Sequence, residues 1–315
     1  MVRCSRRCPG EVSGMKVLCI GAGVVDIAAW PVSRKGEWQE KQRISGISLQ
    51  AGGDAVNQAV YLSQLGFEPG LNMCVGADAN GVLLTELMRR KGVDTSLVRV
   101  KEDMATGTAL VLIDEKGERR VFSAPGAHGQ IRKTDLPEEI PEGLEAISIA
   151  SLFGMDYLER DGLEEFLDQA KERGIPVFAD LLFDKHQRGL NGIAHLLERI
   201  DYFLPSSYDA LSLTGTGTVR ECAAFLRKMG PGTVIIKCGA DGVYADSPGF
   251  RGRIPAPEME PVDTTGAGDC FAAVFLAATL KGYPVEEACR RACRAASLST
   301  LSLGASSALL KPDTI

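Results

Sequence analysis

Histidine and tryptophan are scarce: the 315-residue chain has three of one and two of the other. No histidine stands at ligand spacing from a cysteine pair, which argues against a zinc site. Cys289 and Cys293 in "ACRRACRAAS" would share a helical face, but no further soft ligand accompanies them. Long basic runs are missing and the net charge is −6, so bulk electrostatics draws the chain neither to nucleic acid nor to an anionic membrane. No apolar stretch reaches the ~18–20 residues of a membrane span. There is no Gly-Lys dipeptide and hence no Walker A loop, and neither His-Arg-Asp nor Asp-Phe-Gly, the marks of a protein kinase, occurs. Internal repeats and low-complexity tracts are absent too.

Nine cysteines are present, an odd number, in apolar settings such as "VLCIG" and "NMCVG". They read as buried free thiols of a reducing compartment. The first fourteen residues, "MVRCSRRCPGEVSG", are basic but have no apolar h-region, so they are not a secretory signal. They read as a disordered leader, 1–14, ahead of a folded unit over 15–315 that opens on "MKVLCIGAG". A cytoplasmic location is expected.

From Ile147 onward apolar strand patterns ("AISIAS", "IPVFADL", "DYFLPSS", "TVIIKCG") alternate with helical ones ("LEEFLDQAKERG", "IAHLLERI", "ECAAFLRKMG"). That rhythm predicts a doubly wound α/β body around a parallel sheet. "GLNMCVGAD" reads as one more strand and "GVLLTELMRRKG" as a helix. Two segments, about 30–51 and 104–124, alternate at period two instead and do not fit the βα rhythm. They are expected to pair into a small separate sheet.

Four motifs carry chemistry. "GAGVVD" starts like a dinucleotide fingerprint, but Asp26 replaces the third glycine, and a carboxylate there would oppose a pyrophosphate. Asp26 at a strand's carboxyl end either accepts hydrogen bonds from hydroxyls or caps a turn. In "AGGDAVNQA", Gly52 and Gly53 allow a ligand close to the backbone, and Asn57 offers a donor and an acceptor, as a polyol needs; a plain turn before a helix is the alternative. In "IIKCGADGVY", Gly239 and Gly242 either open the backbone to a nucleotide or make an ordinary hairpin. Lys237 there reaches a phosphate or is solvated.

The strongest signal is "DTTGAGDCFAAVFLAATLKG". Gly266 and Gly268 precede an apolar helix with Phe271, Phe275 and Ala278 on one stripe. Bare amides at such a start, Gly266, Ala267 and Gly268, form an anion nest. Asp269 would weaken a site that only bound phosphate, unless it simply caps the helix. A site that moves phosphate onto an alcohol needs both parts: amides for the transferring group and a carboxylate for the hydroxyl proton. The helix start is expected to keep Asp269 ionised.

At these residues the chain resembles the ribokinase-like, or PfkB, family of carbohydrate kinases. "AGGDAVNQAVYLSQLG" and "DTTGAGDCFAAVF" match its two signatures, and "VGADANG", "GVDTSLV" and "LSLTG" follow in family order. The resemblance implies an ATP- and Mg2+-dependent kinase with a Rossmann-like body and a β lid, the lid being the two segments set aside above. It makes Asp269 the base, Gly266, Ala267 and Gly268 the anion hole, and Asp26, Gly52, Gly53 and Asn57 the sugar site. Lys237, Gly239, Gly242 and Thr265 would line the nucleotide. Asp263 and Thr265, with Ser299 and Gly304 behind them, match a monovalent-cation site for K+. A homodimer through the lid is expected, with no nucleic-acid or membrane partner.

Two departures matter. The family's Asn-x-x-Glu reads Ser206-Ser207-Tyr208-Asp209 here, which leaves Asp209 to order a magnesium-bound water. Asp54 stands where ribokinases carry lysine, which counts against ribose and against a phosphorylated sugar. Arg119 and Arg120, in a lid strand, reach the substrate or face solvent. A nucleoside kinase of the same fold is the alternative, with an aromatic pocket drawn from Trp30, Trp38 or Phe153. A binding protein that has lost catalysis is a third reading.

Overall fold

The computed structural model describes residues 16–33, 41–116 and 118–314. The expected leader and Trp38 lie outside the described residues. The first part of the chain builds β1 (Val17–Ile20), β2 (Val24–Trp30), β3 (Gly46–Gly52), α1 (Asp54–Gln64), β4 (Pro69–Asn72), β5 (Cys74–Gly76), α2 (Ala79–Arg90), β6 (Arg99–Lys101), β7 (Thr108–Ile113) and β8 (Arg119–Ala124). The second part adds β9 (Ala146–Leu152), α3 (Asp156–Asp161), α4 (Leu163–Glu172), β10 (Val177–Leu181), α5 (Ala194–Leu197), β11 (Tyr202–Phe203), α6 (Ser207–Thr214), α7 (Val219–Lys228), β12 (Thr233–Lys237), β13 (Val243–Asp246), β14 (Arg251–Ile254), α8 (Ala267–Leu280) and α9 (Val285–Ser299).

Eight strands form the main sheet in the order β14-β13-β12-β11-β10-β9-β1-β4. Its strands from β4 through β12 are parallel, while β13 and β14 run antiparallel at one edge. β1 shows why the sheet is central. Val17 and Cys19 enter a core with α1, α8 and α9, while Leu18 and Ile20 enter a second core with α4 and α7. An apolar strand buried on both faces needs a helical layer on each side. The body is therefore a doubly wound α/β sandwich, as the alternating pattern implied.

Some expectations need correction. "GLNMCVGAD" is two strands: β4 joins the main sheet, and β5 pairs with β6 in a separate two-stranded sheet. "IAHLLERI" yields only the single turn of α5. Gly266 caps α8, but Gly268 lies inside its first turn rather than before it. α8 is buried all round from Asp269 to Ala278, not along one stripe. It is wedged between α1 and α9, and Ala272, Ala273, Ala277 and Ala278 let those neighbours approach.

A four-stranded small sheet, ordered β3-β2-β7-β8, stands beside the body. Its first strand starts at Val24, earlier than the segment at 30–51 suggested. Asp26 is thus inside a strand of the small sheet, opposite Gln50 and Ala109, and not at a strand's carboxyl end. The alternation of side chains gives this sheet two unlike faces. Asp26, Gln50 and Arg119 share one face, since their register partners coincide. Ile47, Leu49, Leu110 and Phe122 share the other and are exposed. No helix among the described residues is long and apolar enough to cross a membrane.

Candidate active site

The start of α8 brings the strongest motif together. Gly266 takes φ 75°, and a Cβ on it would stand 2.1 Å from the carbonyl oxygen of Ala305. Only glycine lets the chain turn this tightly under a crossing backbone. The amides of Gly268 and Asp269 belong to the first turn, which offers them no intrahelical acceptor. Asp269 is buried, and its Oδ2 accepts a 2.8 Å hydrogen bond from Asn57 Nδ2. The expectation that the helix start keeps this carboxyl ionised fails. Burial raises it to about 7, a nearby Asp180 adds to the rise, and Asn57 and Lys237 only moderate it. Desolvation outweighs the helix dipole here because the carboxylate is shut away from water.

Asn57 and Asp26 form the other side. Asn57 Oδ1 is buried with no partner among the described residues. Such an acceptor is costly to leave empty and is ready for a hydroxyl. Asp26 is half-buried with no hydrogen bond among the described residues, and burial raises its carboxyl to about 6. Of the two earlier readings of Asp26, turn capping drops out, because it sits mid-strand. Gly52 and Gly53 have reasons beyond ligand access. A Cβ on Gly52 would stand 2.2 Å from Asp26 Oδ2, and Gly53, at φ 97°, lies where a Cβ would meet the Ala22 carbonyl at 2.5 Å. Gly53 lets the Gly21-Ala22-Gly23 strand exit and the α1 entry pass backbone to backbone, and Gly52 leaves room for the Asp26 carboxyl.

On the far side of the α8 start lies a cavity of about 520 Å³. Gly268, Ala267 and Lys237 stand at its α8 end, with Gly239 and Gly242 along the β12–β13 turn. Its remaining wall is largely apolar, including Val243, Pro257, Met259 and Phe271. Lys237 is neither solvated nor free: it is paired with Asp180, and its Nζ is 3.3 Å from where a Cβ on Gly268 would stand. A cation is therefore held against the helix start. Asp209 is engaged locally, accepting from Ser206 Oγ at 2.5 Å, while Ser206 caps α6 by accepting from the Asp209 amide at 3.1 Å.

The turn from Asp263 to Thr265 leads into α8. Asp263 is buried and accepts from the amides of Thr265 (2.9 Å) and Gly304 (2.7 Å) and from Arg119 Nη1 (2.6 Å). The same Nη1 donates to Thr265 Oγ1 at 2.7 Å. Burial pushes the Asp263 carboxyl up, yet Arg119 and the two amides bring it down to about 2. Arg119 is thus committed to the Asp263–Thr265 turn while its side chain stays 27% exposed, whereas Arg120 lies outside, over the Phe122 ring. Ser299 Oγ donates to the Ala296 carbonyl. Asp263, Thr265 and Gly304 are brought together, but around a guanidinium.

One residue, Asp180, went unnoticed in the sequence. Asp180 ends "IPVFAD" at the carboxyl end of a parallel strand, where ligands gather in open α/β sheets, and that placement was the available signal. Asp54, the first residue of α1, is raised well above the ordinary carboxyl range by burial and by Asp269 and Asp180. Three carboxylates thus converge on a single lysine. For the nucleoside alternative, Phe153 is fully buried beneath the Arg188 guanidinium, and Trp30 is 38% exposed at the end of β2.

Known proteins resemble the chain over most of its length. The chain is 29% identical to a ribokinase of Haemophilus influenzae over 270 residues, 82% of this chain and 83% of that one. It is 31% identical to an ATP-dependent ribose-1-phosphate kinase of Halopiger xanaduensis over 268 residues, 85% of this chain and 84% of that one. Its fold matches the crystal structure of aminoimidazole riboside kinase from Salmonella enterica, complexed with aminoimidazole riboside and an ATP analog. The TM-score is 0.78 at 26% identity, covering 95% of this chain and 97% of that one. The model of the pfkB family of carbohydrate kinases matches residues 15–312. With its family model matched over nearly the whole chain, the protein belongs to the pfkB family carbohydrate kinases.

Proposed function

We propose that the protein transfers the γ-phosphoryl group of ATP to a hydroxyl of a small, uncharged sugar or sugar derivative. The observation that carries this reading is the position of Asp269, hydrogen-bonded to Asn57 on one side and one residue from the cavity-lining Gly268 on the other. Asn57 Oδ1 and the Asp26 carboxylate hold the sugar hydroxyls, beside Gly52 and Gly53. The cavity along Gly239 and Gly242 takes the nucleotide, with its apolar wall against the base. Lys237 and the Gly268 amide face the phosphates, whereas the Ala267 amide is turned to the Thr264 carbonyl, and Thr265 and Gly266 support the turn from behind.

The step balances simply. The Asp269 carboxylate accepts the hydroxyl proton, the sugar oxygen bonds to the γ-phosphorus, and the bond to the β–γ bridging oxygen breaks to release ADP. A carboxyl near 7 suits a base that works at neutral pH. The α8 amides and Lys237 stabilise charge on the transferring group. Asp180 and Asp209, close enough for their charges to interact, offer the hard oxygen donors that suit Mg2+. Mg2+ would neutralise phosphate charge there.

An uncharged acceptor is favoured because Asp54, Asp180 and Asp269 already crowd negative charge around the site. A sugar ranks above a nucleoside because Phe153 is buried rather than open for stacking. The exposed apolar face of the small sheet supports a homodimer through that sheet, acting as the lid. Seven described cysteines are free thiols, which supports a reducing, cytoplasmic setting. An ADP-release assay against sugars, sugar acids and nucleosides tests the reading. ADP release with an uncharged sugar is expected. A nucleoside-only response reverses the ranking, and thermal stabilisation by a sugar without ADP release overturns catalysis.

A further inference from the structure

The resemblance to the family placed a monovalent cation at Asp263 and Thr265, and the residues present do not fit one. One nitrogen of the Arg119 guanidinium contacts both side chains, 2.6 Å from Asp263 Oδ1 and 2.7 Å from Thr265 Oγ1. The second Asp263 oxygen is already committed to the Gly304 amide at 2.7 Å. The Asp263 side chain is 1% exposed, so its charge has little solvent to lean on. A metal cation at this place would meet the positive charge and the bulk of the guanidinium.

The origin of Arg119 gives the contact a second meaning. The arginine stands on β8, the edge strand of the small sheet, more than 140 residues from the turn it contacts. It is on the same sheet face as Asp26. Through Asp263 and Thr265 it holds the turn that Gly266 closes and that aims the first amides of α8. The contact exists only while the small sheet lies against the body.

We propose that Arg119 is the enzyme's built-in cation: a positioning residue that neutralises Asp263 and orders the turn into α8 when the small sheet closes. On this account turnover needs no monovalent metal cation, and closing over the sugar and completing the anion hole are one event. The inference rests on the kinase reading above.

The test compares wild type with Arg119→Gln and Arg119→Lys in K+, Na+ and tetramethylammonium chloride at matched ionic strength. Wild-type kcat is expected to change less than about twofold among the three salts. Arg119→Gln is expected to lose about tenfold in kcat in tetramethylammonium, with a smaller change in sugar KM. K+ or added guanidinium ion should restore part of that loss, a response that a merely structural defect would not give. Arg119→Lys keeps the charge without the fork and should fall between. A melting measurement adds a readout apart from activity: K+ should raise the midpoint of Arg119→Gln but not of wild type. Activation of wild type by K+, or loss in Arg119→Gln that no cation restores, overturns the proposal while leaving the kinase assignment standing. Absence of wild-type ADP release with every acceptor would instead overturn the kinase reading itself.

Discussion

Asp263 and Asp269 stand six residues apart at the two ends of one glycine turn, both buried, and their carboxyls move in opposite directions. Asp263 accepts from two amides and a guanidinium and falls to about 2. Asp269 has one amide donor, from Asn57, and burial lifts it to about 7. Asp269 is also the more deeply enclosed of the two, so burial and the shortage of donors act together. A carboxylate with its lone pairs filled is structure; one left short of donors is a base in waiting. The same turn thus holds a permanently charged anchor at its entry and a proton acceptor at its exit.

The comparison breaks most sharply at Asp269. Asp269→Asn keeps the shape and an acceptor for Asn57 but removes the base. Turnover should fall at least ~10²-fold while sugar binding stays near normal, measured by steady-state kinetics and calorimetry. A variant with full activity would remove Asp269 from the chemistry. The stability effect has the other sign. A raised folded-state carboxyl gives stability that is present below about 4 and lost as pH rises through about 7. At pH 8 the ligand-free Asn variant should therefore be more stable than wild type by roughly 1–3 kcal/mol, read from denaturant melts.

The pH profile is the next test. In the free enzyme kcat/KM should fall about tenfold for each unit below 7 and level off above it. A limb near 4 instead would mean that Asp269 titrates like an exposed carboxyl.

Asp263→Asn should act in the opposite sense on stability. A depressed carboxyl gives stability that is present above about 4 and lost as pH falls through about 2. At pH 7 the substitution should cost about 2 kcal/mol, and it also leaves the Arg119 charge without its partner. Wild type should lose the same increment between about pH 4 and 2, so the two proteins converge in acid. Melts that differ equally at pH 7 and pH 2 would show that the loss is packing rather than charge.

The turn itself was legible in the residues, but the opposite behaviour of its two carboxyls was not, for physical reasons. The helix start at 266–268 and the carboxyl beside it follow from glycine and burial patterns that are local in the chain. So does the doubly wound body, because strands buried on both faces must alternate with helices. What was not legible depends on long-range contacts. Asp269 looked ionised because the helix dipole is visible in sequence, whereas the surrounding Asp180 and the closed apolar packing are not. Arg119 gave no sign of its partner, since a strand residue can lie on either face and register is fixed only when β7 and β8 pair. Asp26 was placed at a strand end because "GAG" looks like a terminus. The chain instead uses those glycines to leave one sheet and enter another.

The smallest effect separates the two roles of Asn57. Its Nδ2 favours the charged form of Asp269, and its unpaired Oδ1 faces no protein donor among the described residues. Asn57→Ala removes both. Losing the donor should move the acid limb of kcat upward by up to about one unit, so turnover near pH 7 falls a few-fold and recovers near pH 9. Losing the acceptor should raise sugar KM, and that change should persist at every pH, because no titrating group is involved. Steady-state kinetics from pH 6 to about 9 distinguishes the two. If kcat stays depressed at high pH, Asn57 acts on the transition state directly rather than by tuning the base. If KM returns to the wild-type value, its free oxygen is not a sugar contact.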